Sequence, residues 1–413
     1  MRRIKTVYFS LLLSAFVAIS IGMGGELGKI NSGKNTYADF VMFYRMAKMA
    51  ASPSDRFRIY DKELQKSYFN QLNASVKTEQ AVFSQNPPFT FLLVAPFALL
   101  PIEPAFRAWI LLSCLAGIAS IAGFMRLCTN ASAPEILSIF FGTYISFSGF
   151  LCLAVGQTSW FMLSFILIFL YGLLKRNDAV SGLGLALTTC KFQYFPILMV
   201  PLIAQKRWKS LAWFSAIMGT LLCISAFYFG PQNVIGYPSM LFDAETTKAY
   251  DGVFPEFMIS LRGLLSNLMP RGLALKVSGA LMLVFLIPLY YAWVKHKPGE
   301  TSSTRSSFCL ASITVLCALI LSTHTHIYDE IFLAAATCCW LITERNDTTP
   351  NKQVIQVAFA TIIWLYPFSS WAICLIGMAY GGTLQRLPIL IMNVILLLLA
   401  YLRLREITKD NPS

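Results

Sequence analysis

Charge is scarce in this chain. Only 13% of its 413 residues are Asp, Glu, Lys or Arg, against about one quarter in ordinary soluble domains. With 56% hydrophobic residues and a mean hydropathy of +0.61, that scarcity excludes a soluble globular protein. Histidine is rarer still, with three copies, and the ten cysteines show no paired CxxC spacing. Neither a zinc site nor a disulfide framework is therefore expected, and the thiols read as small core residues inside apolar runs. No acidic cluster suited to a metal ion stands out either, so no metal is assigned. Polar sequence is also short: one long stretch covers 26–86 and an intermediate one covers 231–271.

What fills the chain instead is a succession of apolar runs, the clearest at 7–24, 105–125, 134–155, 159–174, 211–230, 273–294, 308–321, 331–342, 354–366 and 387–402, with shorter or proline-interrupted ones at 89–100, 180–204 and 371–382. A helix satisfies its own backbone in hydrocarbon, and ~20 apolar residues suffice to cross. The runs predict an all-α polytopic membrane protein with about 11–13 spans, some short or broken by proline. The whole chain, 1–413, reads as a single integral membrane domain, with 26–86 as an outer loop carrying amphipathic juxtamembrane helices and 231–271 as a second outer loop. Arg2, Arg3 and Lys5 precede the first run, which reads as a first span with a cytoplasmic N-terminus; a cleaved signal peptide is the alternative.

The net charge of +13 would suit nucleic acid in a soluble protein. In so apolar a chain it belongs where loops meet lipid headgroups, and no nucleic-acid partner is expected. Basic clusters at Lys175-Arg176, Lys206-Arg207-Trp208-Lys209 and Lys295-His296-Lys297 are all placed in the cytoplasm by the positive-inside rule. That placement requires 180–204 to be two half-helices meeting near Lys191, and Pro196 supports such a break. The turns at Gly156-Gln157, Lys191, Ser260 to Arg262 and Ser322 to Glu330 then share the outer face.

Several residues there could carry chemistry. Asp39 opens a segment with apolar residues on one side, at Phe40, Phe43, Tyr44 and Ala47. The pattern describes an interfacial helix whose first-turn acid is either an N-cap or a functional carboxylate. Lys191 is flanked by apolar sequence, and its ammonium needs a partner: an anionic ligand, an internal ion pair, or a snorkelling route to water. Gln157 suits either a site or an interhelical hydrogen bond. Ser322-Thr-His-Thr-His-Ile-Tyr-Asp-Glu places His324, Tyr328 and Asp329 between two apolar runs; its two histidines, two residues apart, do not share a helix face, which disfavours a metal pair. His324 suits hydrogen bonding or phosphate contact, with a plain loop as the alternative. Arg262, after Ser260, adds a guanidinium suited to phosphate oxygens.

The order of these motifs resembles glycosyltransferase family 87, the polyprenol-phosphate-mannose-dependent membrane enzymes of the GT-C fold class. The resemblance runs from about Asp39 to Glu330. It rests on Ala38-Asp39-Phe40, Tyr60-Asp61, Asn86-Pro87-Pro88, Gly156-Gln157, Gly182 with Lys191, Ser260-Leu-Arg-Gly-Leu, and Ser322-Thr-His with Tyr328-Asp329. Phe192 and Thr323 stand where members commonly have proline. The resemblance implies a GT-C-type bundle that moves a mannose-like hexose from a polyprenyl-phosphate sugar to an acceptor hydroxyl, on a glycolipid or glycan, with inversion. The setting it implies is the outer face of a bacterial inner membrane. The lipid-linked donor is then a co-substrate and no cofactor is needed. Asp39 would be the general base, and Lys191, Arg262 and His324 would meet the departing phosphate, with Gln157, Ser260, Tyr328 and Asp329 as further binding residues. A transporter or flippase of lipid-linked sugars is the competing reading, since it too needs many spans and buried cations.

Overall fold

A computed structural model of the protein describes residues 9–21, 38–72, 83–246, 255, 258–296, 301–344, 353–380 and 387–409. Among these, every regular element is helical. In chain order they are α1 (Phe9–Ile21), α2 (Ala38–Ala51), α3 (Lys62–Leu72), α4 (Pro88–Val94, extended by a 3₁₀ turn over Ala95–Leu99) and α5 (Ile102–Thr129). Next come α6 (Ala133–Ile145), α7 (Phe147–Val155), α8 (Ser159–Leu174), α9 (Asp178–Thr188), α10 (Phe195–Ala204) and α11 (Trp208–Phe229). The short α12 (Pro231–Ile235), α13 (Tyr237–Thr246) and α14 (Leu261–Ser266) lead into α15 (Arg271–Lys295) and α16 (Thr301–Leu321). A 3₁₀ turn over Ile327–Phe332, then α17 (Leu333–Glu344), α18 (Gln353–Tyr380) and α19 (Leu387–Lys409), complete the order.

The polytopic all-α class is as expected, but the spans divide into two kinds. Among the described residues, α5, α11, α15, α18 and α19 are long and apolar enough to cross a membrane, and α6 with α7 makes a sixth if the bent pair counts as one. The other apolar helices, including α1, α8 and α10, have 10–17 residues, which at about 1.5 Å per residue fall short of a ~30 Å hydrocarbon core. Most of α8 and α10 is buried against other helices, so protein surrounds them where lipid would otherwise be required. A second difference concerns the runs at 354–366 and 371–382, expected as separate. They merge into α18, with Pro367 inside it, because a membrane helix tolerates a proline whose freed carbonyl finds another partner.

Local chemistry sets the breaks. At the junction of α6 and α7 the Ser146 hydroxyl donates to the Thr143 carbonyl (2.7 Å) and accepts from the Gly149 amide (3.1 Å), closing one helix and capping the next across a 65° bend. The expected break in 180–204 is present: α9 ends in a 3₁₀ turn, Thr189–Lys191, and α10 restarts with Pro196 in its first turn. Gly182 on α9 lets α11 come close, since an added Cβ would lie 2.5 Å from the Trp213 Cβ.

The helix connections gather at two ends. At one, Arg207 donates to the Leu173 carbonyl (2.8 Å) and pairs with Asp178 (2.6 Å), while Arg305 and Arg403 reach the end of α17 at the Thr343 carbonyl and Glu344. At the other end, 38–72, 83–101, 156–158, 189–194, 230–246, 258–270 and 322–332 come together, tied by contacts between Asp39 and Gln157, Lys191 and Asp329, and His324 and Glu245. The basic clusters and the sequence-singled polar residues therefore occupy opposite ends of the same helices.

The α2 helix corrects an expectation. In place of an interfacial helix with one wet face, Phe40 to Ala47 are buried on all sides, in a cluster with Ile59, Phe91, Phe106, Trp109 and Phe229. Its charges are accommodated internally: Arg45 donates to Gln65 (3.2 Å), and Lys48 donates to the Ala98 carbonyl (2.8 Å) over the Tyr44 ring. The same hydrophobic pattern serves a protein groove as well as a lipid surface.

Candidate active site

Asp39 lies in the first turn of α2, where burying Phe40 and Phe43 fixes the direction of the helix start. Gly156 closes α7 in the left-handed conformation (φ 74°), and an added Cβ there would lie 2.5 Å from the Phe40 Cβ. That close approach brings the next residue, Gln157, against the acid, and its amide donates to Asp39 Oδ2 at 2.9 Å. The Gln157 carbonyl oxygen is taken by the Thr158 amide (3.3 Å), which leaves the NH₂ group for the carboxylate. Burial pushes the Asp39 carboxyl above the usual carboxylate range; the Gln157 bond and Lys191 pull it partly back, and Asp329 adds to the rise.

Lys191 ends the 3₁₀ turn between α9 and α10. Its ammonium is paired with Asp329 (2.5 Å), donates to the Ser159 hydroxyl (2.8 Å), and lies 4.8 Å from the centre of the Tyr328 ring. Ser159 in turn donates to the same Asp329 oxygen at 2.5 Å. Of the three partners open to Lys191 from sequence, the internal ion pair is realised. Two of its three N–H donors are used in these contacts, so a third is left for a ligand.

Glu245, near the end of α13, is a site residue that sequence reasoning missed. It is bonded by Arg262 from α14 through both its carboxylate and its backbone carbonyl (2.9 Å), and by His324 Nδ1 at 2.9 Å. Burial alone would raise this carboxyl, but the charges and hydrogen bonds of His324 and Arg262 outweigh it and hold the group down at about 2. No pattern marks it, since an acid in a polar loop looks the same whether it faces solvent or a guanidinium. His326, which the sequence reading considered only as half of a disfavoured metal pair, joins the site as well. The segment is not helical there: the rings lie 4.8 Å apart and their Nε2 atoms 3.2 Å apart. The Gln193 amide donating to the His324 carbonyl (2.8 Å) and the His326 amide donating to Asp329 (3.1 Å) hold that extended course.

These groups surround one cavity of about 110 Å³. Of the residues singled out from sequence, Asp39, Gln157, Lys191, His324 and Tyr328 line it, joined by Glu245, His326, Gln85 and Asn86. Tyr60 and Tyr237 donate to the carbonyls of Asn86 (2.7 Å) and Gln85 (3.0 Å), fixing that stretch of wall. Asp329 and Arg262 are not in the lining; each stands behind it as a counter-ion, to Lys191 and to Glu245. Arg262 thus reaches the cavity through Glu245 and not as part of its wall. Ser260 is not brought in at all: it lies at the start of α14 beside a separate small cavity with Met258, Asn267 and Leu390. Among the described residues, no group of three or more His, Cys, Asp or Glu side chains is arranged to hold a metal ion.

The chemistry of the arrangement is that of a carboxylate with a raised proton affinity facing hydrogen-bond donors across a small partly apolar chamber. It can take a proton from a hydroxyl and offer N–H groups to an anion. A family model described as glycosyltransferase family 87 matches residues 84–323, more than half of the chain, and covers the cavity wall apart from Asp39, Met42, Phe43, Phe83, His324, His326 and Tyr328. No curated protein sequence matches the chain.

Proposed function

The chain belongs to glycosyltransferase family 87, and from that premise we propose that it moves a mannose-like hexose from a polyprenyl-phosphate sugar to an acceptor hydroxyl, with inversion. The observation that carries this reading is the shared cavity in which Asp39 faces Lys191 and His324. The acceptor hydroxyl donates its hydrogen to Asp39 and its oxygen attacks the anomeric carbon from the face opposite the phosphate. The bond from that carbon to the phosphate oxygen breaks in an oxocarbenium-like transition state, as in inverting glycosidases. The electron pair leaves with the phosphate, and the remaining N–H of Lys191 together with the His324 ring answers the growing charge. The raised proton affinity of Asp39 favours this role, because a base is most effective when its pKa approaches the working pH.

The setting we infer is the outer face of a bacterial cytoplasmic membrane, with a glycolipid or glycan as acceptor. Buried cations and many helices alone would also suit a flippase of lipid-linked sugars, but membership of a glycosyltransferase family favours transfer. The test is to incubate the purified protein with a panel of polyprenyl-phosphate hexoses and glycolipid acceptors. Asp39→Asn should cut turnover by about 100-fold or more while donor binding persists. Unimpaired turnover in that variant would remove Asp39 from the mechanism.

A further inference from the structure

Counting charge around the cavity exposes a deficit. Lys191 is matched by Asp329 and Arg262 by Glu245, while Asp39 in its working form adds a third carboxylate to those two cations. A sugar-phosphate lipid arrives with a further negative charge. Among the described residues, the remaining source of positive charge in the wall is the pair of imidazoles, His324 and His326.

Their geometry suits that task. Glu245 is held as a carboxylate beside Arg262, so the 2.9 Å contact at His324 Nδ1 is an N–H donating to an acid. The two Nε2 atoms lie 3.2 Å apart, within reach for one ring to donate to the other. The rings therefore form one hydrogen-bonded unit that can spread one added positive charge over two imidazoles, with Glu245 as its anchor and compensating charge. The other groups facing the unit are Arg262 of α14, Lys191 after α9, Asp39 of α2 and Asp329, whose Oδ2 accepts from the His326 amide. Tyr237 of α13 and Tyr328, with its ring 5.3 Å from that of His326, complete the surroundings as neutral groups.

We propose that the His324–His326 pair is a proton-coupled clamp for the donor phosphate: it takes up one proton as the sugar-phosphate lipid binds and hands that proton to the phosphate oxygen as the sugar leaves. The inference rests on the hexosyl-transfer reading above. The donor is a phosphodiester monoanion; cleavage of its sugar–oxygen bond leaves both bonding electrons on a phosphate oxygen, which the pair's proton then neutralises to a monoester monoanion. The acceptor's proton passes to Asp39 and from there to water, so one proton enters with the donor and one leaves after transfer. Glu245 acts through His324 and is a positioning residue.

The experiment uses the purified full chain and a short-chain polyprenyl methyl phosphodiester, whose single charge does not titrate near neutrality. Calorimetric titration in two buffers of different ionisation enthalpy reads the protons taken up on binding. Where the free pair is neutral, uptake of about one proton is expected, with affinity falling about tenfold per pH unit above the point at which the free pair loses its proton. His326→Gln should flatten that dependence; Glu245→Gln should move it to lower pH and raise the donor KM more than it lowers kcat, with Glu245→Asp restoring part of the shift. Affinity that is flat with pH, without proton uptake, in a protein that transfers hexose would overturn the clamp and leave the transfer reading intact. Proton-coupled binding of the diester in a protein that transfers no hexose from any donor would sink the transfer reading and the hand-over step with it, keeping the anion clamp.

Discussion

Asp39 and Glu245 stand in the wall of one cavity, yet their surroundings push them in opposite directions. Asp39 has an amide for its direct partner and is raised by burial, whereas Glu245 has a guanidinium and an imidazole and is held at about 2. Divergent environments of this kind separate a base from a structural anion. For Asp39 the sign is clear: a base works only when ionised, so a raised pKa brings its loss of activity to higher pH than the ~3.9 of an ordinary aspartate. At saturating donor, the acid limb of kcat/KM for the acceptor should therefore lie above the ordinary carboxylate range. Gln157→Met removes the hydrogen bond that lowers the pKa and should carry the limb higher still. A limb at or below the ordinary aspartate value, unmoved by that variant, would show that another group takes the proton. At this scale sequence went part of the way. Lys191 was legible as an ammonium in need of a partner, but its pairing with Asp329 joins residues far apart in the chain and no local pattern announces it. The Arg262–Glu245 contact was hidden for the same reason.

The elements that carry these residues are held by contacts that mostly leave no compositional trace. The break between α9 and α10 was legible because Pro196 and a cation interrupt an apolar run. The burial of α2 was not, since hydrophobic periodicity gives a face its polarity without naming what covers it. Gly156 shows how one element sets another: its left-handed turn ends α7 and lets the backbone press on Phe40, beside Asp39. Gly156→Ala would place a Cβ 2.5 Å from the Phe40 Cβ and force a non-glycine residue to φ 74°. The strain should lower stability by ~1–3 kcal/mol, seen as an earlier thermal unfolding transition in detergent. Because the relief available is a shift of the α2 start, turnover should fall by more than the stability loss explains, by about 100-fold for a displacement of ~1 Å. Wild-type turnover in a folded Gly156→Ala protein would mean that the α7 end does not position the acid.

Across the whole molecule, the cavity and the basic clusters sit at opposite ends of the helices. Arg207 closes one end against Leu173 and Asp178, and burial there, with Arg176 adding to it, lowers the proton affinity of His296. The Asp39–Gln157 and Lys191–Asp329 contacts close the other. Lipid-facing side chains such as Leu111, Phe227 and Leu283 are exposed along the helices between those ends, as a hydrocarbon belt requires. On the proposed reading, the positive-inside rule would keep the basic turns in the cytoplasm, because moving them across the membrane is unfavourable, and would leave the cavity outside. Two exposed positions report this directly, Arg58 beside the cavity end and Lys209 in the first turn of α11. In intact cells a membrane-impermeant maleimide should label Arg58→Cys and leave Lys209→Cys untouched until the membrane is permeabilised. Among the described residues the exposed thiol is Cys223, which lies within the apolar α11, where a membrane-impermeant reagent does not reach. The reverse labelling pattern would turn the cavity to the cytoplasm, where the donor and acceptor would have to be supplied from inside and the outer-face assignment would fall.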